Sequence, residues 1–127
     1  MSHVPPSPDM PFVTLVGAGP GDPELLTLKA LRVLRQATVI LVDDLVGEQV
    51  LACALEGLSP APRIVPVGKR GGCESTPQAF IEKLLVREAL AGEKVVRLKG
   101  GDPLVFGRAG EEIAALREAG IPVEVVN

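Results

Sequence analysis

With 127 residues and a mass of 13.3 kDa, the chain has the size of one domain, since domains commonly run to about 100–200 residues. Hydrophobic residues make up 46% and charged residues 23%, with a mean hydropathy of +0.31, which excludes a disordered or acidic solvating segment. A net charge of −3 and 2% aromatics, with three Phe and neither Tyr nor Trp, remove the attraction and the stacking platforms that nucleic-acid binding relies on.

Residues 1–11 open the chain, and Pro5, Pro6 and Pro8 favour an extended, flexible tail. This stretch lacks the basic start and apolar run of a secretory signal. No apolar run approaches the roughly 20 residues of a membrane span, so a cytoplasmic protein without a membrane partner is expected. The remainder, 12–127, alternates two patterns. Strands are expected at Phe12–Val16, Thr38–Val42, Arg63–Val67, Val95–Leu98 and Pro122–Val126. Thr38–Val42 is apolar on both faces of the pleat, as buried parallel strands are.

Helices fall between them. The first has Asp22 as N-cap, Pro23 as first residue, and Leu25, Leu26, Leu28, Leu31, Val33 and Leu34 on a broad apolar face. Glu24, Lys29, Arg32, Arg35 and Gln36 are left for solvent. The second runs from about Glu48 to Leu55. The third starts from Thr76 and Pro77 and buries Phe80, Ile81, Leu84 and Leu85, with Gly92 at its left-handed end. The fourth spans about Arg108 to Ala119, has Glu111 and Glu112 in its first turn where the dipole favours acids, and stops at Gly120 and Pro122. The fold expected is therefore α/β: three layers, with a mostly parallel five-stranded sheet flanked by four helices.

In an open parallel sheet, ligands gather outside the carboxyl ends of the strands. Four loops there would share one rim: Gly17–Asp22, Asp43–Asp44, Gly68–Arg70 and Lys99–Pro103. The first fits a dinucleotide fingerprint poorly, because its third glycine position is Asp22, and no Lys-Ser/Thr completes a phosphate loop. Lys69 and Arg70, with Arg97, Lys99 and Arg108, would make this rim basic in an acidic protein, as an anionic substrate requires. Gly100 and Gly101 after a buried strand imply close backbone approach by something. Cys53 reads as a core filler and Cys73 as an exposed thiol. With His3 the one histidine beside two cysteines, the four N or S ligands of a zinc site are lacking. Two cysteines suggest a reducing compartment.

Val16-Gly17-Ala18-Gly19-Pro20-Gly21-Asp22-Pro23-Glu24-Leu25-Leu26-Thr27-Leu28-Lys29-Ala30 resembles the opening of the tetrapyrrole methylases. Asp43-Asp44-Leu45-Val46, Val67-Gly68-Lys69-Arg70, and the run from Val96 to Arg108 with Glu111-Glu112 resemble the uroporphyrinogen-III methylating branch of that family. The resemblance implies S-adenosylmethionine-dependent methylation of uroporphyrinogen III to precorrin-2, for sirohaem and cobalamin synthesis. Asp43 would accept a proton and Lys69 donate one. Pro20, Gly100, Gly101, Asp102 and Val105 would contact S-adenosylmethionine, and Leu45, Arg70 and Arg108 would line the tetrapyrrole. Val42 departs from the aromatic residue that family members often carry before the motif Asp. The resemblance also implies a C-terminal domain missing after Asn127, a homodimer for the intact enzyme, and poor donor binding by this half alone. Three other readings stay open: a nucleotide-binding module using Gly17–Gly21, a related corrinoid-precursor methylase, and a fragment acting as an assembly surface.

Overall fold

A computed structural model describes residues 12–18, 22–42, 45–67, 77–99 and 109–126. Five strands form one sheet: β1 (Val13–Gly17), β2 (Val39–Val42), β3 (Arg63–Pro66), β4 (Val95–Lys99) and β5 (Val123–Val126). Their order is β3-β2-β4-β1-β5 and every pairing is parallel. Four α-helices connect them: α1 (Leu28–Gln36), α2 (Leu45–Ala54), α3 (Gln78–Leu90) and α4 (Ala109–Glu118). The expected fold class is the one observed.

Alternation along the strands builds two cores. Val16, Ile40, Val42, Val96 and Leu98 pack against Ala30 and Leu34 of α1 and Leu51 and Ala54 of α2. Val13, Val39, Leu41 and Val95 face Ile81, Leu85 and Ala89 of α3 and Leu116 of α4. The three central strands are buried throughout, whereas the edge strand β3 is largely exposed. Pro66 suits that edge, because a proline has no N–H to offer an outer strand. Gly92 and Gly120 follow α3 and α4 at φ +88° and +75°, the left-handed closure that side chains resist.

Several helix expectations need correction. Asp22 caps only a single 3₁₀ turn, Pro23–Leu25, through its carboxylate to the Glu24 amide (3.0 Å). The α-helix then restarts at Thr27, whose hydroxyl accepts from the Ala30 amide (3.0 Å). That restart resets the helical phase: Ala30 and Leu34 point inward, while Leu25 and Leu28 are 61% and 85% exposed. Arg35, expected in solvent, is partly buried, whereas Lys29 is exposed as expected; both have partners. Lys29 pairs with Glu124 of β5, and Arg35 donates to the Ala54 and Glu56 carbonyls at the end of α2. Helix α2 begins three residues before the expected Glu48, because Gly47 does not interrupt it. On α3 the inward line is Ile81, Leu85, Glu88 and Ala89, which leaves Phe80 exposed. Cys53 is exposed rather than core, since Leu51 and Ala54 take the inward positions of its turn.

Candidate functional site at the carboxyl ends of the strands

Parallel pairing brings the last residues of β1, β2, β3 and β4 to one edge of the sheet. Gly17 is in register with Lys99, and Val42 with both Leu98 and Pro66. The strand order adds what the pattern of elements could not supply. From β1 the chain moves outward through β2 to β3, with α1 and α2 on one face. It then returns to β4, between β2 and β1, and proceeds past β1 to β5, with α3 and α4 on the other face. The connection leaving β2 runs toward β3 on one face and the connection leaving β4 runs toward β5 on the other, so winding reverses between β2 and β4. Such a reversal opens a crevice where the two connections leave in opposite directions, the usual ligand position in open α/β sheets. The segments after Val42 and after Lys99 start at this crevice, and the one after Gly17 starts one strand away.

The β1–β4 side of this edge is tight. The Ala18 amide donates to the Lys99 carbonyl at 2.7 Å, which carries the β1–β4 ladder one step beyond the strand, and Ala18 is buried. At Asp22 the side chain has already taken the Glu24 amide and its carbonyl the Leu25 amide. Amides engaged this way are unavailable to a phosphate, and the carboxylate would repel one. This weighs against the nucleotide-binding reading of the first loop.

The basic rim must be redrawn. Arg97 and Lys99 are not displayed for an anionic ligand: they point between β4 and α4, with side chains 3% and 5% exposed. Both engage Glu112, itself 0% exposed. Arg97 Nε donates to Glu112 Oε1 at 2.7 Å and Lys99 Nζ to Oε2 at 3.0 Å, while Arg97 Nη1 lies 3.4 Å from the Leu98 carbonyl. A central strand buried on both faces cannot hold cations without a partner carboxylate, because desolvating a lone charge costs several kcal/mol (about 3–5 when a buried pair is broken). Glu112, expected only to complement the helix dipole, is that partner. Its signal was in the sequence: two cations at alternate positions of a buried strand demand an acid from the next packed element.

Of the residues assigned roles by resemblance, Pro20, Asp43, Lys69, Arg70, Gly100, Gly101, Asp102, Val105 and Arg108 lie outside the described residues. So do residues 1–11, Cys73, Thr76 and Asn127. Leu45 is the first residue of α2, directly after the Asp43–Asp44 pair, and its side chain is outside the description. Among the described residues no cluster of His, Cys, Asp or Glu could hold a metal ion, and no helix is long and apolar enough to cross a membrane.

A profile of the family described as Tetrapyrrole (Corrin/Porphyrin) Methylases matches residues 13–127. The chain is 60% identical over 115 residues to a uroporphyrinogen-III C-methyltransferase of Pseudomonas aeruginosa, covering 91% of this chain and 45% of that protein. It is 54% identical over 114 residues to siroheme synthase 2 of Aeromonas hydrophila, covering 90% of this chain and 23% of that longer protein. Among solved structures, uroporphyrin-III C-methyltransferase of Thermus thermophilus complexed with S-adenosylhomocysteine superimposes with a TM-score of 0.72 at 55% identity. That match covers 91% of this chain and 47% of the other. The chain thus spans less than half the length of these relatives.

Proposed function

The chain belongs to the tetrapyrrole methylase family, and from that premise we propose that it supplies one half of an S-adenosylmethionine-dependent C-methyltransferase acting on uroporphyrinogen III. Precorrin-2 is the product of this reading, which feeds sirohaem and cobalamin synthesis. The observation that carries it is the reversal of winding between β2 and β4, which starts the segment after Val42 and the glycine-bearing segment after Lys99 at one crevice, with the glycine-bearing segment after Gly17 one strand away. A relative of 55% identity is complexed with the demethylated donor, which supports placing the donor there.

The chemistry suits such a rim. A nucleophilic pyrrole carbon attacks the methyl group in line, the sulfur–carbon bond breaks, and the sulfonium leaves as the neutral thioether S-adenosylhomocysteine. A base takes up the proton that the macrocycle gives up. Most of the acceleration comes from aligning two bound reactants, with proton transfer adding its share. In this reading Pro20, Gly100, Gly101, Asp102 and Val105 hold the donor. Asp43 follows Val42, one strand from β4, and takes the proton; Lys69, three residues past Pro66 in the sequence, carries the proton-donor role that the resemblance implies. Leu45, Arg70 and Arg108 face the macrocycle. With Arg97 and Lys99 committed to Glu112, its carboxylates fall to Arg70 and Arg108.

Residues 12–127 act here as the N-terminal α/β domain behind a short tail, and a second domain completes the clamp. The intact enzyme is read as a cytoplasmic homodimer, on the strength of the family resemblance. In the full-length enzyme, Asp43→Asn is expected to lower turnover by about 100-fold or more while leaving S-adenosylhomocysteine affinity nearly unchanged. Equal loss of both would make Asp43 structural. Alone, this half is expected to bind the donor product more weakly than micromolar, and calorimetry giving a micromolar Kd would overturn the half-clamp reading.

A further inference from the structure

The Arg97–Glu112–Lys99 cluster has no part in the methyl transfer described above, yet it lies beneath the crevice. Arg97 and Lys99 occupy alternate positions on one face of β4, at its carboxyl end, and Glu112 is the fourth residue of α4. Each carboxylate oxygen takes one cation, and none of the three side chains is more than 5% exposed. Apolar packing is non-directional, whereas charge-assisted hydrogen bonds define both distance and angle. Hydrophobic side chains of similar volume would fill the same space, often with a gain in stability. An ionic arrangement in this place fixes distances and angles that apolar packing would leave open.

That geometry leads to the crevice through described contacts. Glu112 holds the Lys99 ammonium, and the Lys99 carbonyl in turn accepts from the Ala18 amide at 2.7 Å. Helix α4, the end of β4 and the exit of β1 are thus linked in series. We infer that Glu112 is a positioning residue: it sets the end of β4 against β1 and so shapes the crevice that receives the methyl donor. This inference rests on the donor-site reading above.

The test follows S-adenosylhomocysteine titration of the chain by two-dimensional amide NMR, which detects millimolar binding, alongside thermal melting. Wild type is expected to show ligand-induced shifts at Ala18 and Lys99. Glu112→Gln leaves two buried cations facing a neutral amide, and it is expected to lower both melting temperature and affinity. The triple variant Arg97→Met, Lys99→Met, Glu112→Met removes the charges together. It is expected to melt at or above the wild-type temperature while binding roughly tenfold or more weakly, as a misplaced site does. If the triple variant recovers affinity together with stability, the cluster is packing only and the inference falls alone. If the wild-type chain shows no ligand-induced shift, the donor-site reading fails and takes the inference with it.

Discussion

Charged residues in this chain have to be sorted by the face they occupy. Arg97 and Lys99 read as rim cations from their position after a buried strand, but alternation turns both toward α4, where Glu112 consumes them. Glycines divide as sharply. Gly120 has φ +75° with nothing within 4 Å of an added Cβ, so Gly120→Ala meets only backbone strain. It should cost about 1–2 kcal/mol in urea denaturation. Gly110, inside α4 and equally unobstructed, has no such strain, and Gly110→Ala should stabilise the chain by up to about 1 kcal/mol. The sequence showed Gly92 and Gly120 as helix stops because their flanking patterns ended there. It could not show that Cys53 faces outward, since Leu51, Ala52, Cys53 and Ala54 are all plausible core residues and only the packed helix separates them.

Strand positions were legible to within a residue or two, because β-branched apolar runs bounded by polar turns admit few alternatives. Helix starts were harder. Asp22-Pro23 is a strong N-terminal signal, and the chain does use it, for a single 3₁₀ turn. The competing cap at Thr27 then decides which leucines are buried. Thr27→Ala should therefore lower stability by about 1 kcal/mol, measurable as a reduced denaturation midpoint with an unchanged slope. The same phase shift exposes Leu28, 85% accessible, so Leu28→Gln should change stability by no more than about 0.5 kcal/mol. A reading that extended the helix from Pro23 would have forecast a core cavity instead.

Two cores on opposite faces of one sheet make the domain cooperative through its central strands. Val39 and Leu41 serve one core while Ile40 and Val42 serve the other, so damage to either face passes through β2. Leu85 of α3, fully buried, is a direct probe. Leu85→Ala should cost about 2–5 kcal/mol, with a single transition when fluorescent-dye melting and far-UV circular dichroism are overlaid. Two separated transitions would mean the α3/α4 layer unfolds independently. The same double-sided architecture places β4 between β2 and β1, which sets the carboxyl ends of these three strands side by side at one edge of the sheet.

Local pattern sufficed for the α/β class, the parallel sense of the strands, and the family carried by the motifs after four of them. Those features are written in near-neighbour chemistry: two-sided apolar runs, glycine stops and short motifs. Strand order, the inward turn of Arg97 and Lys99, and the assignment of Glu112 to them depend on which distant segments pack together. Each of these arises from burial against a partner far along the chain, where desolvation and directional hydrogen bonds are settled at once, and no window of adjacent residues contains that partner.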